Sequence, residues 1–258
     1  GDVRDLPRLE MALDNVDIVI HAAALKQVPA AEYNPFEVVK TNIIGGQNVI
    51  EACLKCNVKS IIALSTDKAA APLNLYGATK LTSDKLFTSA NIYRGNKKIK
   101  FSVVRYGNVM NSRGSVIPYF IETKKSGTLN ITDKRMTRFN ITLDEGVNFV
   151  LKCLKIMKGG EIFIPKIPSY KILDLAAAVD PNCKINIIGI RSGEKIHEVM
   201  VTKDDSLNTI EFKNHFVIIP SITIRKFDDY VYSDKTDISK RVDEGFSYSS
   251  DNNSVFLS

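Results

Sequence analysis

The chain has 258 residues, of which 44% are hydrophobic and 25% are charged, and its formal net charge is +6. This is the composition of a globular protein long enough to bury a sizeable core. No apolar run is long enough to span a membrane, and no basic block is interleaved with aromatic residues. We therefore expect neither a membrane span nor a nucleic-acid interface.

Four cysteines are present, Cys53, Cys56, Cys153 and Cys183. The first two are spaced Cys-x-x-Cys but have no second pair at metal-binding spacing, so we interpret all four as reduced thiols. No secretion signal is visible. These features predict a cytoplasmic protein without a metal site.

Strands and helices alternate through the first part of the chain. Apolar spacing predicts strands over 16–21, 60–64 and 100–105 and helices over 6–13, 35–56 and 76–90. Such alternation predicts an α/β fold with a doubly wound parallel sheet. We assign residues 1–110 to a partial dinucleotide-binding domain of this kind, whose first strands are missing.

The second part, 111–258, is assigned mainly to a small carboxy-terminal lobe that binds substrate, with one strand able to return to the sheet. Thr142 is predicted to cap a helix. The remaining predicted elements are a helix opening in 112–118, a strand over 161–165, a helix over 173–179 and a strand over 185–190. The polar tail from Ser221 has no helical or strand period over 247–253.

The stretch from Ser65 to Lys80 follows a predicted strand directly, so it lies at the sheet edge where ligands bind in such folds. Tyr76 and Lys80 are four residues apart and share one face of the next helix. A cation beside a phenol is expected to lower the pKa of the tyrosine and make it a usable acid or base. Without further residues, the same pair could equally belong to an ordinary surface helix.

Further motifs favour chemistry. Ser65-Thr66, Tyr76 and Lys80 resemble the Ser/Thr–Tyr–Lys set of the short-chain dehydrogenase/reductase superfamily, in its extended, nucleotide-sugar-modifying branch. With Asp67-Lys68, the chain resembles the inverting UDP-N-acetylglucosamine 4,6-dehydratases, which begin pseudaminic acid synthesis for flagellin glycosylation. The matching runs are 21–29, 65–70, 74–80, 112–118, 135–139 with 144–146, and 161–168.

This resemblance implies a dehydration at C4 and C6 of the sugar with inversion at C5. Thr66 would hold the 4-hydroxyl and Tyr76 would take its proton. Lys68, kept neutral by burial or by the nearby Lys80, would remove the C5 proton, and Asp67 would protonate the departing 6-hydroxyl. The implied catalytic residues are Thr66, Asp67, Lys68, Tyr76 and Lys80.

The resemblance also implies NADP as cofactor, with NAD not excluded, a UDP-sugar as substrate and a homo-oligomer in the full-length form. The implied cofactor-binding residues are Asp2, Ala22, Ala23, Ala24, Lys26, Asn42, Tyr76 and Lys80. The implied substrate-binding residues are Lys26, Asn108, Ser115, Val116, Thr132, Arg138, Arg191 and Glu194.

The sequence departs from the family pattern in two ways. No Gly-x-Gly-x-x-Gly phosphate loop occurs, so we expect an amino-terminally truncated copy that lacks roughly 60 residues. Alone, such a polypeptide should neither bind the dinucleotide tightly nor stay soluble. In addition, Ala71, Asn111, Asn140 and Ser192 replace the usual Asn, Gly, aromatic residue and Pro.

Two other functions stay open at this point. One is a retaining UDP-sugar dehydratase or a 4-epimerase, although a 4-epimerase needs no acid–base pair like Asp67-Lys68. The other is an inactive nucleotide-sugar-binding fragment or scaffold, which the absent glycine loop favours.

Overall fold

The structure, a computed structural model, describes residues 1–220, 222, 227–230 and 239–257. Within these residues, no helix combines the length and apolarity that a membrane span requires. The helices are α1 (Leu6–Ala12), α2 (Val28–Tyr33), α3 (Pro35–Val39), α4 (Gly45–Lys55), α5 (Leu75–Tyr93), α6 (Val116–Thr123), α7 (Leu143–Ile156) and α8 (Ile172–Val179).

In the described part of the chain, the strands group into one large sheet and three small ones. They are β1 (Ile18–His21), β2 (Ser60–Thr66), β3 (Lys100–Tyr106), β4 (Asn108–Val109), β5 (Thr128–Ile131), β6 (Thr137–Ile141), β7 (Ile162–Pro165), β8 (Ser169–Lys171), β9 (Lys184–Ile187), β10 (Val199–Val201), β11 (Thr209–Glu211), β12 (His215–Ile218), β13 (Lys240–Arg241) and β14 (Tyr248–Ser249).

The large sheet has the strand order β1-β2-β3-β7-β12-β11-β13. The first four strands are parallel, which confirms the predicted parallel sheet. The fourth of them, β7, lies within the predicted strand 161–165. β12, β11 and β13 extend it with antiparallel pairing. These three strands were not predicted, because runs of two to four residues are too short to show an apolar period.

Successive residues of the central strands pack on opposite faces of the sheet. Ile61 and Val103 join the core cluster that contains side chains of α4 and α5. Their neighbours Ile62 and Val104 join the cluster that contains side chains of α7. Helices therefore cover both faces, and the doubly wound arrangement predicted from alternation is confirmed.

The helix predicted over 35–56 is interrupted. A wide turn over Lys40–Ile44, with hydrogen bonds spaced as in a π-helix, joins α3 to α4. Asn42 lies in this turn and is buried, and its side chain bonds to the backbone of Leu25 and to Thr79. Wide turns inside helices are frequent at functional sites.

A smaller apolar cluster lies apart from the sheet. It contains Phe120 of α6, Leu129 of β5, Tyr170 of β8 and Ala176 of α8. β5 pairs with β9 in parallel. Thr142 caps α7 with its hydroxyl and forms a reciprocal capping box with Glu145, as the sequence predicts.

The prediction of a tail without regular structure is wrong at Tyr248. In β14 this residue pairs with Val201 of β10, and its ring is buried against Phe139 and Phe216. One aromatic side chain suffices to anchor the segment, and a single residue creates no period. The tail positions 221, 223–226 and 231–238 lie outside the described residues.

Ala71 yields a first prediction. Its φ is 47°, in the left-handed region that Asn tolerates better than Ala, and its side chain is exposed. Ala71→Asn should raise the free energy of unfolding by roughly 0.5–1 kcal/mol in urea titrations. Ala78→Asn, in the right-handed backbone of α5, is the matched control and should lower that free energy. A loss of stability in Ala71→Asn would contradict this reading.

His21 yields a second prediction. Burial and the charge of Lys80 lower its pKa to about 4, and its ring stacks on Phe87. The unfolded chain protonates this histidine near pH 6.5, so folding stability should fall as pH drops from 6.5 towards 4. The contribution lost is about 3 kcal/mol. The pH dependence of unfolding should be shallower in His21→Gln, and equal slopes in both proteins would argue against a buried neutral ring.

Candidate active site

At the carboxyl end of β2, the hydroxyl groups of Ser65 and Thr66 have different hydrogen-bond partners. The Ser65 hydroxyl donates to the buried Asp84 carboxylate at 2.8 Å, and Asp84 also accepts from Arg105 at 3.2 Å. The Thr66 hydroxyl donates to Asp67 Oδ1 at 2.8 Å. Because adjacent strand residues face opposite sides, Thr66 belongs to the site and Ser65 to its framework.

Asp67 and Lys68 lie in the short turn that follows β2. The Asp67 side chain is buried, and its Oδ1 is 3.1 Å from Lys68 Nζ. Its other oxygen, Oδ2, is buried and has no hydrogen-bond partner among the residues that the structure describes. On the other side, Lys68 Nζ is 3.4 Å from Glu198 Oε1. One ammonium group therefore stands between two buried carboxylates.

Helix α5 begins so close to this turn that only glycine fits at its third residue. A Cβ atom on Gly77 would lie 2.2 Å from the carbonyl oxygen of Lys68. The Asn74 side chain caps the helix by accepting from the Gly77 N–H at 2.8 Å. These two features hold Tyr76 in the first turn of α5, beside Thr66, Asp67 and Lys68.

The expectation that Lys80 lowers the pKa of Tyr76 is wrong in two respects: the pKa is raised, and the nearby cation is a different lysine. Burial raises the pKa of Tyr76 to about 12, and the cation that opposes this rise is Lys68. Lys80 is buried and donates to the carbonyl oxygen of Leu64 at 2.7 Å. Burial lowers the pKa of Lys80, against the field of Asp84. The spacing of four residues places Tyr76 and Lys80 on the same face of α5, but it does not bring their side chains into contact.

Lys68 was expected to be neutral, and this expectation is also wrong. Burial alone would lower its pKa, but the carboxylates of Asp67 and Glu198 outweigh burial and the field of Arg138 and raise it. Lys68 is therefore an ammonium ion in this arrangement. The sequence shows Asp67 beside Lys68 but not the approach of Glu198.

A cavity of about 590 Å³ opens beside this cluster and is large enough for a small-molecule ligand. Lys68 and Glu198 line it. Of the eight predicted substrate-binding residues, seven line it: Asn108, Ser115, Val116, Thr132, Arg138, Arg191 and Glu194. The eighth, Lys26, is exposed in the turn before α2 and is not part of the lining.

The two predicted arginines differ in what remains free. Arg138 donates to the carbonyl oxygens of Thr137, Lys195 and Ile196 at 2.7–3.0 Å, so most of its donors are engaged by backbone. Arg191 is largely exposed and approaches Glu194 at 3.9 Å. Of the pair, Arg191 has the more accessible guanidinium.

Three polar atoms of the cavity wall have no partner in the described part of the protein, and one of them is Glu198 Oε2. Asn108 Oδ1 and Ser115 Oγ are both buried and without a hydrogen bond. Ser115 stands at the amino end of α6 but does not cap it with its hydroxyl. Unpaired buried polar atoms are costly unless a ligand satisfies them.

The residues predicted to contact a cofactor lie at the carboxyl end of β1 and beyond it. Ala22 and Ala23 are exposed there and Ala24 is half-buried; we call these three residues the alanine strip. Asn42 fixes the strip, because its side chain accepts from the N–H of Leu25 and donates to the carbonyl oxygen of Leu25. The amide of Asn42 is thus engaged by protein. Asp2 is exposed, and its carboxylate accepts two side-chain donors of Arg4, which lower its pKa to about 2.

Sequence reasoning missed three side chains that face the Asp67–Lys68 pair. Glu198 contacts Lys68 directly. Tyr170 and Lys195 line the cavity, and the pKa of each responds to the charges of Asp67 and Lys68. Glu198 and Lys195 occur in the charged run 189–198, which also holds the predicted substrate-binding residues Arg191 and Glu194.

Comparison with known proteins identifies close relatives. The sequence profile of the family described as "Polysaccharide biosynthesis protein" matches residues 1–220. A Campylobacter jejuni (serotype O:2) protein named UDP-N-acetylglucosamine 4,6-dehydratase (inverting) is 58% identical over 261 residues, which cover 100% of this chain and 78% of that protein. A Rickettsia canadensis protein named UDP-glucose 4-epimerase is 41% identical over 223 residues, 84% of this chain and 65% of that protein.

Solved structures agree with the fold. The X-ray structure of Pen from Bacillus thuringiensis superposes with a TM-score of 0.89 at 41% identity, covering 99% of this chain and 77% of that one. DesIV, a dTDP-glucose 4,6-dehydratase from Streptomyces venezuelae, matches 76% of this chain and 68% of its own with a TM-score of 0.69 at 21% identity. The second likeness concerns the fold alone.

The close approach of Gly77 to the backbone of Lys68 can be tested by substitution. Gly77→Ala should lower the free energy of unfolding by roughly 1–3 kcal/mol, because its methyl group meets the backbone of Lys68. Gly46→Ala in α4 is the matched control, since its Cβ would meet only ordinary contacts of 3.4 Å and more. The control should be neutral or stabilising by up to about 1 kcal/mol. Equal effects of the two changes in urea titrations would refute the close approach.

Proposed function

The chain belongs to the polysaccharide biosynthesis protein family and is a relative of inverting UDP-N-acetylglucosamine 4,6-dehydratases, as its motifs predict, and on that premise we propose that it catalyses this dehydration. The observation that carries the proposal is the contact between Asp67 and Lys68, at the edge of a ligand-sized cavity and beside Tyr76. A dehydration needs an acid and a base together, and this pair provides both.

The Asp67–Lys68 ion pair holds the protons that the reaction needs. Moving one proton from Lys68 Nζ to Asp67 Oδ1, across 3.1 Å, gives a neutral amine and a carboxylic acid. The amine can then take the C5 proton of the sugar, while the acid gives its proton to the 6-hydroxyl, which leaves as water. Both residues return to the ion pair, so the raised pKa of Lys68 is compatible with its role as a base.

Tyr76 and Thr66 act at the 4-hydroxyl. The Thr66 hydroxyl orients the substrate group, and Tyr76 accepts its proton as C4 is oxidised. One neighbour supports the phenolate that this requires, because the positive charge of Lys68 favours ionisation of Tyr76. Lys80 acts indirectly in this proposal, through the backbone of Leu64 at the end of β2.

We assign the cavity to the UDP-sugar. Arg191 suits a phosphate because its guanidinium is accessible and presents parallel donors. Ser115 Oγ and Asn108 Oδ1, which lack partners in the described structure, can meet polar groups of the sugar or the base. Thr132, Val116 and Glu194 complete the binding wall.

We assign the exposed strip at Ala22, Ala23 and Ala24 to a nicotinamide dinucleotide, NADP by family resemblance. The strip fits this group, because small side chains after a parallel strand leave the backbone open to a flat ligand. When bound, such a cofactor supplies reversible hydride transfer. Asn42 fixes the strip, and Asp2 and Lys26 are its expected polar contacts.

The wider setting follows from the same resemblance. We propose that the reaction is the first step of pseudaminic acid synthesis for flagellin glycosylation and takes place in the cytoplasm. We further propose that the full-length form is a homo-oligomer.

A second candidate, UDP-glucose 4-epimerisation, is favoured by the Rickettsia relatives with that name. Epimerisation at C4 requires no proton removal at C5 and no acid at C6. The Asp67–Lys68 pair would then have no catalytic task, which is why we prefer the dehydratase.

The test is to incubate the full-length form with UDP-N-acetylglucosamine and NADP in deuterated buffer and to follow C5 and C6 by NMR. We expect a 6-deoxy-4-keto product with deuterium at C5 and inverted configuration. Lys68→Ala should reduce deuterium uptake at C5 by at least about 100-fold, because the base is lost. Lys85→Ala, an exposed lysine on α5, is the matched control and should retain it.

Each other outcome identifies an error. Uptake at the normal rate in Lys68→Ala would remove Lys68 as the base. A C4 epimer without deuterium at C5 would favour the epimerase. Retained configuration at C5 would indicate the retaining dehydratase, and binding of the nucleotide sugar without turnover would indicate an inactive binding protein.

A further inference from the structure

Glu198 is a buried carboxylate that no sequence motif assigned. It lies immediately before β10, and its side chain is 3% exposed. Its Oε1 is 3.4 Å from Lys68 Nζ and 3.8 Å from Arg138 Nε. Its Oε2 is buried without a hydrogen-bond partner among the described residues.

Such a charge must be compensated locally, because a buried ion without a partner costs several kcal/mol. In the described part of the chain, the cations within ion-pair distance of Glu198 are Lys68 and Arg138. They come from two separate elements, the turn after β2 and the strand β6. Glu198 therefore connects the catalytic turn with the wall of the cavity.

The backbone of Glu198 is fixed from the other side. Its N–H donates to Ser250 Oγ at 2.9 Å, and its carbonyl oxygen accepts from the Ser250 N–H at 2.8 Å. The Ser250 hydroxyl also lies 2.6 Å from that of Thr137, the neighbour of Arg138. Ser250 therefore fixes both the N–H and the carbonyl group of Glu198, and this fixes the origin of the Glu198 side chain.

We propose that Glu198 is a positioning residue that holds the Lys68 ammonium against Asp67 and beside Arg138 at the cavity wall. The catalytic meaning of this role rests on the proposed function, whereas the electrostatic role does not. Glu198 keeps the proton of the Asp67–Lys68 pair on nitrogen until substrate enters and fixes the direction in which Nζ points. Asp67 and Glu198 together hold Lys68 Nζ in one position.

Several charged or titratable groups face Lys68 from the elements around it. The carboxylates are Asp67 and Glu198, and the cations are Arg138 and Lys195. Two phenols, Tyr76 and Tyr170, complete the surroundings. Removing the charge of Glu198 leaves one carboxylate, Asp67, against two cations, so Lys68 should lose its proton at lower pH.

The experiment measures trace acetylation of Lys68 by acetic anhydride as a function of pH, read by mass spectrometry. In the unchanged protein, labelling of Lys68 should begin above the pH at which exposed lysines react. Glu198→Gln should move the midpoint down by one pH unit or more, a tenfold gain in labelling at fixed pH. Glu122→Gln, a carboxylate of the same cavity that does not act on Lys68, is the matched control and should leave it unchanged.

An unchanged midpoint in a folded Glu198→Gln protein overturns the proposal. Thermal unfolding gives an independent measure: the losses in Tm of Glu198→Gln and Lys68→Met should not add in the double variant, and full additivity also overturns it. Labelling requires no turnover. A shifted midpoint in a protein without dehydratase activity would therefore keep the role of Glu198 and reject the proposed function.

Discussion

The ion pair of Lys68 with two buried carboxylates is the interaction on which the site depends. Asp67 is its neighbour in sequence, but Glu198 comes from the run that leads into β10. Burying two carboxylates costs free energy unless they are paired, so the cluster around the half-buried Lys68 depends on both segments being in place. The cluster thereby ties the turn after β2 to the wall of the cavity.

Hydrogen bonds to backbone reinforce that connection. Lys195 Nζ donates to the carbonyl oxygen of Ala70, and the Asn74 amide donates to that of Gly193. Arg138 holds the same segment, because its guanidinium donates to the carbonyl oxygens of Lys195 and Ile196. Charged side chains that sequence motifs associate with ligand binding are thus partly structural here, and they shape the cavity before any ligand enters.

Two of the four departures from the family pattern have a backbone explanation. Ala71 and Asn111 have φ values of 47° and 58°, in the left-handed region. The family residues at these positions, Asn and Gly, are those that tolerate this conformation best. Ala71 therefore bears local strain next to the turn after β2, whereas Asn111 is a tolerated substitute for Gly. Nothing in the structure explains the changes at Asn140 and Ser192.

The sequence alone determined the parallel core of the sheet, the helices on its two faces and the position of Thr66, Asp67, Lys68 and Tyr76 at a strand end. These features are local: they follow from apolar periods and from neighbours in the chain. Tertiary structure alone decided the antiparallel extension β12-β11-β13 and the burial of Tyr248. It also decided the protonation of the site, because a pKa depends on which distant charges approach and how far water is excluded. Glu198 reaches Lys68 only through the fold, where its carboxylate adds to that of Asp67 in raising the pKa of the lysine.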